Sequence, residues 1–257
     1  MINVARELDA IKLSLVASAL AFASMGCAAE AVDGETGEED VESSASAIVG
    51  GQTTTAYPAV GALTQRGSSF CTGTVVSKRV VVTAAHCLKG VRASNIRFAL
   101  GPNAFSPQAQ LGVSRVIAHP QYDERRLTND IGVLVLSQDA PVTPIAINDS
   151  MSSSWVGRSL TFVGYGATSG FGSSGSGVKR VVDIAVSEVG STQFAYADRR
   201  KNTCFGDSGG PAFAVDATGN LTLVGVTSYG DQTCTRYGVD TRVDAYQSFI
   251  AAAAQQQ

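Results

Sequence analysis

Histidine is scarce in this chain: its 257 residues include two, His86 and His119. Any imidazole that moves a proton near neutral pH has to be one of them. Cysteine is limited to Cys27, Cys71, Cys87, Cys204 and Cys234, and no two stand at CxxC spacing, so the metal-binding reading of these thiols fails. No metal and no cofactor are expected. The apolar run from Leu13 to Ala29 is too short and too rich in Ala and Ser for a convincing membrane span. Long stretches of helical periodicity are also missing. What is abundant is glycine, 27 residues, with Val, Thr and Ser frequent, which favours an all-β protein of many short strands. A hydrophobic content of 44% is enough to bury a sizeable core.

Charge is unevenly spread. Residues 1–47 hold nine acidic residues against Arg6 and Lys12, and the remainder carries 17 basic residues against 13 acidic ones. So mild an excess reads as an ordinary solvated surface and gives no argument for nucleic acid. Arg6 and Lys12 precede the apolar run, so residues 1–29 read as an export signal. Two endings compete. One is an ordinary cut after the small residues Ala28 or Ala29. The other follows from Ser24-Met25-Gly26-Cys27, which resembles a bacterial lipobox and would leave Cys27 lipidated. Residues 30–47 are acidic and then small, a composition too polar to build a core.

The chemistry centres on Cys204-Phe205-Gly206-Asp207-Ser208-Gly209-Gly210-Pro211. Glycines around a serine allow a tightly curled turn that aims the N–H groups of Gly206 and Ser208 at one point, as stabilising an oxyanion requires. The hydroxyl is a weak nucleophile until a base takes its proton. His86 ends the β-branched run Val80-Val81-Val82-Thr83-Ala84-Ala85, and Asp130 precedes the apolar run Ile131 to Leu136. A single histidine or aspartate in such a place is more often structural. His119, followed by Pro120, reads as a structural residue at a strand end. Taken together and in order, Thr83-Ala84-Ala85-His86-Cys87, Asn129-Asp130-Ile131 and Gly206-Asp207-Ser208-Gly209-Gly210-Pro211 resemble the trypsin/chymotrypsin family of serine proteases.

That resemblance implies two antiparallel six-stranded β-barrels with the active site between them and a short C-terminal helix. The first barrel would span about 48–140, a connection about 140–155, the second barrel about 156–242 and the helix about 243–253. Gly166 to Gly177, almost all Gly and Ser, reads as a mobile loop. The resemblance also implies a triad in which Ser208 attacks, His86 shuttles the proton and Asp130 orients the imidazolium. Ile48-Val49-Gly50-Gly51 matches the mature N-terminus of the family. A cut between Ala47 and Ile48 would free an α-amino group to pair with Asp207, making 30–47 a propeptide. Ala47 does not suit self-activation by a trypsin-like enzyme, so a separate activating protease is expected. The implied disulfides are Cys71–Cys87 and Cys204–Cys234, in keeping with an oxidising compartment.

For the specificity pocket the resemblance points to Asn202, Ser228, Gly230, Gly238 and Asp240. An uncharged Asn202 at the base disfavours a substrate cation, and glycines at 230 and 238 leave room for large side chains, so an aromatic or broad preference is expected at P1, the residue before the scissile bond. The alternative is a basic preference restored by Asp240. Expected partners are protein or peptide substrates; the chain is expected to be secreted and monomeric, touching a membrane only through a lipid on Cys27. The rival class is a non-catalytic secreted binding protein on a protease scaffold, although such proteins usually lose a triad residue and none is lost here.

Overall fold

The computed structural model describes residues 48–255. The expected export signal with Cys27, the acidic stretch and Ala47 lie outside the described residues. The chain enters at β1 (Gln52–Thr53) and then builds six strands: β2 (Val60–Gln65), β3 (Ser68–Ser77), β4 (Val80–Thr83), β5 (Arg97–Leu100), β6 (Ala109–Ala118) and β7 (Gly132–Leu136). These close into an antiparallel barrel in the order β2-β3-β4-β7-β6-β5. Closure leaves no open edge, which suits strands this short.

Every residue of β4 is buried, which is why it reads as a continuous apolar run and not as an alternation. Val81 and Val82 face the barrel core, while Val80 packs with Val133 and with Ala253 of the C-terminal helix. Burial of each such side chain is worth about 1.5–3 kcal/mol.

Strand β8 (Ala146–Ile147) lies in the connection and runs parallel to β13. The second set is β9 (Ser159–Gly164), β10 (Arg180–Val189), β11 (Gln193–Tyr196), β12 (Pro211–Val215), β13 (Leu221–Gly230) and β14 (Gly238–Arg242). They follow the order β10-β11-β14-β13-β12-β9, and the β9–β10 pairing closes this ring as a second six-stranded barrel. β1 adds to the outside of β10. Along β10 the buried residues Val182, Ile184 and Val186 alternate with exposed Asp183, Ala185 and Ser187, apart from the half-buried turn into the strand, and so mark its inward face.

Residues of both barrels share one core cluster that includes Val60, Leu63, Val163, Tyr165, Phe213 and Val226. Tyr165 is its polar peg: the buried hydroxyl lies 2.6 Å from the carbonyl of Gly101 and 3.0 Å from that of Val60. The chain ends in a turn at Asp244–Tyr246 followed by α1 (Gln247–Ala254). Val243, Tyr246 and Ile250 are buried on one side of this segment, and half-buried Phe249 packs edge-on to His119 at 4.8 Å. The Gly- and Ser-rich stretch after β9 is hydrogen-bonded into the body of the protein: Ala167 N–H donates to Phe205 O, Thr168 N–H to Ser174 O and Gly177 N–H to Tyr165 O.

Candidate active site

The antiparallel pairing of β4 with β7 sets Thr83 opposite Gly132. His86, three residues past Thr83, and Asp130, two residues before Gly132, therefore leave the same end of the barrel side by side. Asp130 is fully buried. Its Oδ1 accepts the backbone N–H of His86 at 2.9 Å, and its Oδ2 lies 2.7 Å from His86 Nδ1. The Ser228 hydroxyl donates to the same Oδ2 at 2.6 Å, and Thr241 Oγ1 donates to the Asp130 carbonyl at 2.9 Å. A carboxylate held by this many donors has one orientation, and it fixes the imidazole with Nδ1 inward and Nε2 toward the opening.

Ser208 arrives from the other barrel, in the loop between β11 and β12. Its carbonyl accepts Thr72 N–H from β3 at 2.8 Å, and Gly209 N–H donates to Thr227 O at 2.8 Å. The loop is thus clamped to both barrels. Gly209, at φ +80°, has no room for a side chain: a Cβ there would overlap Thr83 Oγ1 and the Thr72 carbonyl. Gly206, at φ +99°, takes a conformation that few other residues adopt. Its carbonyl is held by Thr72 Oγ1 at 2.9 Å. Among the described residues, neither Gly206 N–H nor Ser208 N–H has an acceptor, so both are available to a bound group.

His86 and Ser208 line one cleft of about 290 Å³, together with Thr203, Thr227, Ser228, Tyr229, Gly230 and Asp231. The Cys71–Cys87 disulfide closes the segment before His86, and Cys204–Cys234 ties the Ser208 loop to the loop after β13. Cys71, His86 and Cys87 come close enough to suggest a metal site, but both sulfurs are committed to the disulfide and leave no thiolate to ligate.

The pocket residues divide. Ser228 and Gly230 line the cleft, whereas Asn202, Gly238 and Asp240 are not among its lining. Asn202 is buried and engaged elsewhere, its Nδ2 donating to Tyr237 O at 3.0 Å and its Oδ1 accepting Thr203 N–H at 2.9 Å. The space over Gly238 is not open: a Cβ there would overlap the ring of Tyr196. Asp240 is fully buried, with neither oxygen in hydrogen-bond geometry, although the Tyr196 and Thr227 hydroxyls lie beside it. Burial pushes its carboxyl well above the usual range, and those hydroxyls offset only part of that rise.

Sequence reasoning did not anticipate Tyr196, Thr203, Thr227 or Asp231. Asp231 organises the rim: its carboxylate accepts the N–H groups of Thr233, Thr235, Arg236 and Tyr237. Partial burial pushes its pKa up, but these bonds outweigh it and hold the group well below the usual carboxylate range. The one signal was an Asp followed by Thr at two and four positions, a common loop-capping pattern.

Asp207 is buried beneath the Ser208 loop, accepting Gly166 N–H at 2.7 Å and Cys204 N–H at 2.8 Å. Burial raises its pKa to about 7, with those two bonds and the charge of Arg180 pulling downward. Between the unfolded value near 4 and about 7, the folded chain keeps a proton that the unfolded chain has lost. Stability of the uncut chain therefore falls as pH climbs through that window and levels off above it. Urea midpoints measured from pH 4 to pH 8 should show Asp207→Asn removing this component of the slope, worth a few kcal/mol across the window.

The sequence matches the trypsin family over residues 48–250. It is 32% identical to Trypsin-3 of Salmo salar over 209 residues, covering 73% of this chain and 84% of the relative. It is 32% identical to Trypsin beta of Drosophila erecta over 202 residues, 71% of this chain and 78% of the relative. A bacterial relative, Trypsin of Saccharopolyspora erythraea, is 30% identical over 208 residues, 73% of this chain and 88% of the relative. With two closed barrels, paired cysteines and this extent of match, the chain belongs to the trypsin family and is a serine endopeptidase.

Proposed function

We propose that the chain is a secreted precursor whose cut form hydrolyses peptide bonds through Ser208, His86 and Asp130. The observation that carries this reading is the buried Asp130 carboxylate, 2.7 Å from His86 Nδ1, facing a cleft that Ser208 also lines. His86 Nε2 takes the Ser208 proton as Oγ attacks the scissile carbonyl. Asp130 holds the ring and balances the imidazolium charge. The developing oxyanion is received by Gly206 N–H and Ser208 N–H, two donors without an acceptor among the described residues. The tetrahedral adduct collapses to an acyl-enzyme as His86 returns the proton to the leaving amine. Water activated by the same base then releases the acid.

Activation is by cleavage between Ala47 and Ile48. Ile48 is seated in the core of the second barrel with Leu160, Phe162 and Ala212, and Val49 bridges to Asn202. In the uncut chain Asp207 has no ion pair with a described residue within 4.0 Å. The freed α-amino group supplies that missing charge and fixes the Ser208 loop. Residues 1–29 serve export and 30–47 are the removed propeptide, with lipidation at Cys27 the competing fate of the leader. Substrates are proteins or peptides with an uncharged P1 residue, because Asn202 is neutral, Asp240 lies outside the cleft, and Asp231, which does line it, is already occupied by four backbone N–H groups. The test is hydrolysis of a mixed peptide set by a chain beginning at Ile48. Turnover that disappears in Ser208→Ala is expected; turnover that survives the substitution overturns the reading.

A further inference from the structure

Directly beneath the cleft lies a layer of side chains that the reaction does not use. The β11–β14 register sets Tyr196 opposite Gly238 and Phe194 opposite Asp240, and the β13–β14 register sets Thr227 opposite Asp240. Because Gly238 has no side chain, the Tyr196 ring lies over it, in space that a Cβ would otherwise occupy. The ring is fully buried, packs on Phe162 at 4.3 Å between centroids, and its hydroxyl is 2.7 Å from Thr203 Oγ1. Thr203 and Thr227 line the cleft; Tyr196 and Asp240 do not. Thr203, paired with Tyr196, and Thr227, beside Asp240, therefore stand between these buried groups and the substrate side.

We infer that Tyr196 backs the floor of the P1 pocket, which Thr203 and Thr227 line, and that by filling the space beside Asp240 it sets the specificity of the enzyme: with the ring in place the pocket accepts uncharged side chains ending on the Thr203 and Thr227 hydroxyls, and with the ring removed Thr203 loses its partner and Asp240 becomes a counter-charge for Lys or Arg. This deepens the protease reading above and rests on it. A substrate cation brought into the present cleft meets the Thr203 and Thr227 hydroxyls and a single lining carboxylate, Asp231, whose oxygens are already taken by loop N–H groups, and burying a poorly compensated charge is strongly disfavoured. Asp240, sealed from water and without a cation, is held neutral by burial; opening the floor lets water and a substrate cation reach it, and both favour the charged form.

The experiment uses the chain from Ile48, as wild type, Tyr196→Ala, Asp240→Asn and the double variant, with Ser208→Ala as the blank. Peptides differ at P1 alone, carrying Ala, Leu, Phe, Lys or Arg. Benzamidine, a small aryl cation, is titrated into each variant by calorimetry as a readout independent of turnover. The wild type should reject Lys and Arg and bind no benzamidine. Tyr196→Ala should gain about 100-fold in kcat/KM for Lys and Arg relative to Leu, and bind benzamidine; the double variant should lose both gains. Asp240→Asn in the wild-type background should still reject Lys and Arg. Lys or Arg turnover in the wild type that falls in Asp240→Asn overturns the inference, since the carboxylate would already be in contact. So does a folded Tyr196→Ala, checked by near-ultraviolet circular dichroism, that neither cleaves after Lys nor binds benzamidine. If Tyr196→Ala does not fold, the comparison of wild type with Asp240→Asn decides. Absence of any turnover that Ser208→Ala abolishes counts against the protease reading, and the calorimetry then judges the floor separately.

Discussion

Replacing His86 with alanine, in a chain that begins at Ile48, should lower kcat/KM by about 10⁴-fold or more while leaving the fold intact. The size follows from the absence of a substitute. The other histidine, His119, sits between the rings of Tyr246 and Phe249 at 5.2 and 4.8 Å, committed to packing at the C-terminal segment. Without a base the Ser208 hydroxyl stays protonated and unreactive. His86 is partly exposed and its backbone N–H, which Asp130 accepts, survives the substitution, so the structural cost is small. Ser228→Ala is the graded companion. It removes one donor to Asp130 and leaves the His86 contacts in place, and a loss of about tenfold is expected. Initial rates on one peptide, with each variant checked by circular dichroism, measure both. Equal losses from the two would mean that the effect is general disorder of the site.

The second large effect concerns Asp207, where one substitution should act in opposite senses before and after the cut. In the chain beginning at Ile48, Asp207→Asn leaves the new ammonium buried without its counter-charge and frees the loop that carries Gly206 N–H. Removing the partner of a buried charge is strongly destabilising, and loss of an oxyanion donor alone costs about 100-fold or more. The expected result is a fall in kcat of at least that size. In the uncut chain the same substitution removes the penalty of ionising a buried carboxyl, at the loss of one of its two backbone hydrogen bonds, so stability should rise at pH 8 relative to pH 4 when compared with the unsubstituted chain. Kinetics on the cut form and urea unfolding of the uncut form read the two arms. Full activity of the cut Asp207→Asn chain would refute the proposed ion pair.

The candidate reacting groups stood out in the sequence because their residue types are few and their order is informative. With two histidines in the chain, the pattern around His86, Asp130 and Ser208 left little choice of base. The barrel strands were legible for a related reason: runs such as Val80 to Val82 are buried on both sides and stay apolar throughout. The position of Tyr196 beneath the cleft was not legible. Its place over Gly238 depends on the register of β11 on β14, a pairing between segments about 40 residues apart that local pattern does not encode. Glycine at 238 read as open space when the room it leaves is taken by this ring. Lys179 and Arg180 were missed for the opposite reason. Composition treats them as solvated, yet Lys179 is buried, donating to Tyr57 O at 2.9 Å, and burial lowers its pKa to about 8.

If Ser208 is activated by His86 once the chain is cut before Ile48, an organophosphonate that traps activated serines should label it. Intact mass with peptide mapping of the exposed protein should show a single adduct, on Ser208, in the chain beginning at Ile48, and none in the uncut chain or in the His86→Ala variant. No adduct on a chain with a correct Ile48 terminus and both disulfides formed would overturn the proposed triad and favour a binding protein on a protease scaffold.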